Sequence, residues 1–264
     1  MRTYIGSCIW RSVEVAHLKP LLALLREPDF GYYPQVGDAL IDRARSISAS
    51  YFLRHTDYDV HLSIDSDIVG FTVEDTKKMC ELAMEYDIVG GVYVCRSPSQ
   101  THPASFYLPG VKVLHAFDHT PVEAKWLATG FLAVHRRVFE TLAKDLPLLA
   151  EKDGAKAFHP FYLPMLYEDD DVGQMIELSE DWAFCQRAKD AGFKCYIDPA
   201  IRLGHIGTYT YRLEDTAQKQ PEPQPLAIQR TGKYWEVFGD AEALLREVNE
   251  HLEVPAQASA LTRV

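Results

Sequence analysis

The chain has no apolar run of membrane-spanning length, no excess of basic residues, no C-x-x-C pair and no internal repeat. Each absence removes a class of function. A helix that crosses a bilayer needs about 20 mainly apolar residues in succession, so no membrane span is expected. The first residues lack the basic-then-apolar pattern of a signal peptide, and the expected location is cytoplasmic. Acidic residues outnumber basic ones 38 to 27, a formal charge of −11. General affinity for nucleic acid or an anionic membrane needs a basic face, so only a local basic patch stays open. The five cysteines, Cys8, Cys80, Cys95, Cys185 and Cys195, are odd in number and scattered. They read as reduced, mostly buried thiols, not as a disulfide frame or a zinc site.

What is present is an ordinary globular composition, 47% apolar over 264 residues, enough for a full core. Apolar, β-prone stretches at Thr3–Ile9, Val60–Ile64, Ile88–Cys95 and Phe193–Ile197 read as strands. A short apolar helix is expected at Leu18–Leu25, and Leu40, Ala44, Ile47 and Tyr51 mark one face of a helix from Asp38 to Arg54. A third helix follows the cap Thr72, with Glu74 and Asp75 in its first turn, and runs to Tyr86. Arg136–Ala143 is helical, and Ser179 caps a helix that ends at Gly192. Gly31–Pro34 reads as a loop. Residues 96–125 are expected to be irregular, with short strands at Lys112–Phe117. Lys125–Val134 gives two extended pieces around Thr129-Gly130. Strands alternating with helices argue for a mainly parallel α/β sheet. Residues 1–213 form the main domain, with a loop-rich insertion at 145–178. Residues 214–264 hold the proline-rich linker Gln220–Pro225, a terminal helix at Tyr234–Leu252 and a tail.

The most informative residues are Asp65-Ser66-Asp67, which directly follow the apolar strand Val60–Ile64. In an extended chain residues two apart project to one side, so both carboxylates can reach one point. Two unpaired carboxylates so close repel each other and raise a pKa. A divalent cation removes that repulsion, and oxygen ligands suit Mg²⁺ or Mn²⁺. The carboxyl end of a strand is also where open α/β sheets bind ligands.

Two further pieces lie downstream. Ser179-Glu180-Asp181-Trp182 opens a helix, where acids in the first turn are ordinary macrodipole chemistry or a general base facing a cleft. His205 lies between Gly204 and Gly207, glycines that allow backbone and imidazole to approach an ion or a phosphate.

Ile-Asp-Ser-Asp at 64–67, Thr-Gly-Phe at 129–131, Ser-Glu-Asp-Trp at 179–182 and Gly-His-Ile-Gly at 204–207, in that order, resemble a glycosyltransferase of the GT-A fold, in particular the family 2-like transferases of bacteria and phages. The resemblance spans residues 3–210. It implies a mainly parallel α/β sheet flanked by helices, a nucleotide-sugar donor, with UDP-sugar the default, and Mn²⁺ or Mg²⁺ as cofactor. Asp67 would be the chief metal ligand, Asp65 would reach ribose or the metal through water, and His205 would be a further ligand. Asp181 would deprotonate an acceptor hydroxyl, Glu180 would orient it, and Ser66 and the Thr129–Phe131 segment would line the donor, with Gly130 allowing close backbone approach. Arg43 and Arg45 resemble basic residues that contact base or phosphate; the other reading is a solvated helix face.

Inversion of configuration is expected if Asp181 is the base. The insertion at 145–178 is the natural acceptor side, with aromatic residues that stack on a sugar or pack the loop. The acceptor is a hydroxyl of a glycan, a small molecule or a modified nucleic-acid base, the charge of −11 counting against the last. Two other readings stand beside this one: a sugar-phosphate nucleotidyltransferase, and a non-catalytic carbohydrate-binding protein on the same fold. The segment Gly6–Arg11, with one glycine, lacks the Gly-rich basic loop of the former.

Overall fold

The computed structural model describes residues 1–96, 104–107, 119–150, 157–169, 173–207, 210–211, 227–231 and 234–238. Its centre is one mixed sheet built from β1 (Thr3–Ile9), β2 (Phe30–Val36), β3 (Val60–Ile64), β5 (Ile88–Val92), β6 (Phe106–Tyr107), β7 (Val122–Trp126), β8 (Phe131–His135) and β13 (Cys195–Arg202). Their spatial order is β2-β1-β3-β8-β5-β13-β7-β6. Strands β2, β1, β3, β5, β13 and β6 point one way, and β8 and β7 run against them. This is the mainly parallel, GT-A-like α/β architecture that the resemblance implies.

Both faces of the sheet are covered, which is why its strands read as apolar runs. Alternate residues feed two cores. Tyr4, Ile88, Leu132, Val134 and Ile197 face helices α2 (Ile41–His55), α4 (Arg136–Asp145) and α5 (Glu180–Asp190). Ile5, Leu62, Val89, Phe131 and Ala133 face α1 (Val15–Leu24) and α3 (Val73–Tyr86). Among the described residues, no helix is long and apolar enough to cross a membrane. All five cysteines are free, with Cys80, Cys185 and Cys195 buried.

Helix α2 bears most directly on function, because it carries Arg45 over the sheet. Its buried face is rich in serine, and each hydroxyl has a job. Ser46 Oγ accepts from the Tyr162 N–H at 3.1 Å and Ser50 Oγ from the His159 N–H at 2.9 Å. Ser48 Oγ lies 3.3 Å from His61 Nε2, and burial keeps His61 neutral, its pKa pushed down to about 3. The small side chains bring the helix close to β1. A Cβ on Gly6 would meet Ser48 Oγ at 2.5 Å and His61 Nε2 at 2.9 Å.

The structure corrects several expectations. Gly31–Pro34 is not a loop but the middle of edge strand β2, where proline is tolerated because one side of the strand has no neighbour. The insertion is less loop-like than its prolines suggest. It contains β9 (Leu149–Ala150) paired with β10 (Ala157–Phe158), and the hairpin β11 (Met165–Asp169) with β12 (Gln174–Leu178). Within its acidic run, Asp169 is buried and accepts from Lys125 Nζ at 2.9 Å. Phe161 and Tyr162 are core residues. Tyr234–Phe238, expected to open a helix, is strand β17, paired with β16 (Ala227–Thr231). Lys112–Phe117, Gln220–Pro225 and the tail lie outside the described residues.

Gly6→Ala is expected to lower stability by about 1–3 kcal/mol through overpacking, read as an earlier urea midpoint. Adding Ser48→Ala should restore part of the loss, because it removes the atom the new methyl strikes. Equal losses in the single and double variants would place the strain elsewhere.

Candidate functional site

The strand directions bring the singled-out residues to one edge. Asp65 follows the end of β3, Tyr93 and Arg96 follow β5, and His205 follows β13. The reversed strand β8 begins where β3 ends, with Phe131 opposite Ile64, so Thr129 and Gly130 arrive at the same edge. There they line a cavity of 880 Å³ together with Arg45, Ser66, Asp67, Glu180 and Asp181. Phe131, expected to line the donor, is instead fully buried in the core, and Arg43 does not line the cavity either. Its guanidinium forks onto Asp38, with Nε to Oδ2 at 2.7 Å and Nη2 to Oδ1 at 2.8 Å. A second cavity of 550 Å³ between β2 and α2 is lined by tyrosines and contains no carboxylate.

Asp65 and Asp67 do different things. Both oxygens of Asp65 are held by Arg45, Nη1 to Oδ1 and Nη2 to Oδ2, each at 2.8 Å. Arg45 is 6% exposed and the Asp65 side chain 23%, so this is a part-buried bidentate pair and not a solvated helix face. Asp67 points to the other side of the cavity. Its backbone carbonyl accepts from the Ile206 N–H at 2.8 Å. The short strand β4 (Ile68–Val69) pairs antiparallel with β14 (Gly204–Ile206), His205 opposite Ile68, and β15 (Thr210–Tyr211) pairs with the far side of β14.

That ladder sets His205 beside Asp67, and a hydrogen bond sets its ring. His205 Nδ1 lies 2.9 Å from the Val94 carbonyl oxygen, which can only accept, so Nδ1 carries the proton. In the neutral ring the lone pair is therefore on Nε2, 3.5 Å from Asp67 Oδ2. Burial acts to raise the Asp67 pKa, but the hydrogen bond and charge that His205 supplies when Nε2 also carries a proton, together with the Arg96 charge, outweigh it and hold the carboxyl below its ordinary range. A carboxylate oxygen and an oriented imidazole nitrogen at this spacing fit a divalent cation that takes its remaining ligands from water and substrate phosphates. Among the described residues, no group of three or more His, Cys, Asp or Glu side chains could hold a metal by itself.

The first turn of α5 lines the same cavity. Ser179 occupies the N-cap position but does not cap. Its hydroxyl donates instead to Asp181 Oδ1, which also accepts from the Trp182 N–H at 2.9 Å. Burial raises the Asp181 pKa despite these donors and Arg45. Burial also raises that of Glu180, with the Asp181 charge adding to it and Arg45, whose Nε is 3.7 Å from Glu180 Oε1, opposing. Both acids sit above their ordinary ranges, the direction suited to accepting a proton near neutrality.

The 129–130 turn lines the cavity as well. The Gly130 N–H donates to Tyr93 Oη at 2.7 Å, and its carbonyl accepts from the Asp65 N–H at 2.9 Å. A Cβ here would meet Tyr93 Oη at 2.6 Å and Asp65 Oδ2 at 3.3 Å, so only glycine fits. Thr129 is 1% exposed, and its hydroxyl has no partner among the described residues. Sequence reasoning missed Arg96, Tyr93, Trp10 and Arg11, which also line the cavity. The signal was available, since Trp10 and Arg11 follow β1 as Tyr93 and Arg96 follow β5, at the strand ends where ligands bind.

No family model matches the sequence, and no curated protein matches it. The chain is similar in fold to a solved structure, A197 from STIV, with 18% identity, a TM-score of 0.51, and coverage of 91% of this chain and 95% of that one. At that identity the likeness is one of fold alone.

Proposed function

We propose that the chain is a metal-dependent glycosyltransferase that moves a sugar from a nucleotide-sugar donor, UDP-sugar favoured, to a hydroxyl acceptor with inversion. The observation that carries this reading is that two features share one cavity. Asp67 Oδ2 and His205 Nε2 lie 3.5 Å apart, and Glu180 and Asp181, whose pKa values partial burial raises, line the same cavity.

On this reading, Asp67 and His205 hold Mn²⁺ or Mg²⁺, which when bound offsets the charge that develops on the leaving diphosphate. Asp65, fixed by Arg45, keeps lone pairs free of the fork for ribose hydroxyls. Thr129 and Gly130 line the donor sugar, and Gly130 lets that sugar lie against backbone. Asp181 takes the acceptor proton. Its Oδ1 is occupied by Ser179 and the Trp182 N–H, so Oδ2 is the basic atom. The acceptor oxygen bonds to the anomeric carbon as the bond from that carbon to phosphate oxygen breaks, and the nucleoside diphosphate leaves with the electron pair. Glu180, facing Arg45, orients the acceptor.

Asp67→Ala is expected to abolish Mn²⁺-dependent binding of the nucleoside diphosphate, measured by calorimetry. Undiminished binding would move the metal site away from Asp67.

Asp181→Asn should keep donor binding and lose about 10²–10⁴-fold in transfer, the usual share of a general base. In the native enzyme, Asp181 must be ionised to act, so its raised pKa moves the acid limb of the rate profile above the ordinary carboxylate range. The stability sign is the reverse of that of a paired acid. A carboxyl whose folded pKa is raised binds its proton more tightly when folded, so its ionised form costs stability at neutral pH. Asp181→Asn should therefore not lower the melting temperature there. Full transfer activity in this variant would make Asp181 a helix-end acid only.

A further inference from the structure

On the metal-dependent reading, Asp67 and His205 take a divalent cation, yet the carboxylate already carries one positive group. Arg96 Nη1 donates to Asp67 Oδ2 at 2.7 Å and to the Ile206 carbonyl oxygen at 3.3 Å. Oδ2 is the same oxygen that faces His205 Nε2. The guanidinium therefore occupies the side of Asp67 that the metal reading requires.

Three features make this an exchangeable contact. Arg96 is about half exposed, at 48%, and an ion pair at that exposure is weakly held. A guanidinium and a divalent ion cannot share one carboxylate oxygen without strong repulsion unless an anion comes between them. Arginine also presents several N–H donors in a fork that matches phosphate oxygens, while the described contacts of Arg96 use Nη1 alone.

The anion that would come between is the diphosphate. It gains negative charge as it leaves, more than one divalent ion already shared with an aspartate neutralises. Arg45 cannot supply the balance, because its fork is spent on Asp65. Arg96 can, from the adjoining wall of the same cavity.

We propose that Arg96 is the exchangeable cation of this site. It neutralises Asp67 in the free protein, yields Oδ2 to the divalent ion on loading, and binds the donor's phosphates. It is thus a ligand-binding residue that competes with metal in one state and cooperates with it in the other. This inference rests on the metal-dependent reading of the same cavity.

The test measures two affinities with the full chain: Mn²⁺ alone, by electron paramagnetic resonance, and UDP in the presence of Mn²⁺, by calorimetry. Arg96→Ala should bind Mn²⁺ alone about three- to tenfold more tightly, because its competitor is gone. The same variant should bind UDP with Mn²⁺ about three- to tenfold more weakly, because a charged phosphate contact is lost. Arg96→Lys, which keeps the charge without the fork, should fall between wild type and Arg96→Ala in both. A structural surface pair would leave both affinities unchanged, and that result overturns the inference. Asp67→Ala separates the role of Arg96 from the metal site itself. If wild type binds Mn²⁺ and UDP in an Asp67-dependent way but Arg96→Ala does not move the affinities in opposite directions, only the role of Arg96 fails. If wild type binds neither, the metal-dependent reading fails and Arg96 with it.

Discussion

The part-buried pair between Arg45 and Asp65 is the contact on which the rest of the site depends. It joins α2 to the end of β3 through two parallel hydrogen bonds of 2.8 Å, with Arg45 6% exposed. Removing Asp65 would leave the Arg45 charge buried and uncompensated, which in a fully buried pair costs about 3–5 kcal/mol; the partial exposure of Asp65, 23%, lowers that cost here. The pair also decides how labour is divided between the two aspartates. Asp65, with both oxygens spoken for, is a fixed part of the floor. Asp67, two residues on and across a turn, is left to face His205 and Arg96. The same guanidinium turns its Nε toward Glu180, so one arginine orders the end of β3 and the acid-bearing helix together.

The sheet supplies the geometry that makes this economical. Parallel strands β1, β3, β5 and β13 end at one edge, and the reversed β8 starts there, so five short segments meet at the site. Helix α2 approaches β1 closely because Gly6 has no side chain and Ser48 has a small one. That approach is what lets an arginine on a helix reach a strand-end carboxylate. The buried serines of α2 then fasten residues 159–162 to the same helix, which ties the insertion to the frame of the cavity.

Much of this was legible in the sequence. Thr3–Ile9 and Val60–Ile64 are strands with the expected bounds. Thr72 caps α3 as its spacing with Asp75 predicts, accepting from the Asp75 N–H. The motifs at 65–67, 129–130, 179–182 and 205 do line one cavity. The features that escaped share a physical character. Edge strand β2 was hidden by Gly31 and Pro34, because local propensity does not see a neighbouring strand. Arg45 is a candidate site residue in the sequence, with a solvated helix face as the other reading, and its pairing with Asp65 escapes, because hydrophobic periodicity cannot register a partner 20 residues later. Tyr234–Phe238 reads as the start of a helix, because local pattern does not see the pairing with Ala227–Thr231 that makes it a strand. Ser179 has the right identity and position for a cap, yet a neighbouring carboxylate outcompetes the backbone for its hydroxyl.

The most direct measurement of the central claim is the melting temperature of the full chain with UDP-, GDP-, CDP- and dTDP-linked sugars, each with and without Mn²⁺. A ligand that binds only the folded state stabilises it by mass action, about 2.7 kcal/mol at a hundred times its Kd. The account predicts a rise with one nucleotide family, present with Mn²⁺ and absent without it. The absence of a rise with every donor under both conditions would contradict the account and turn attention to the same cavity as a binding site for glycans alone.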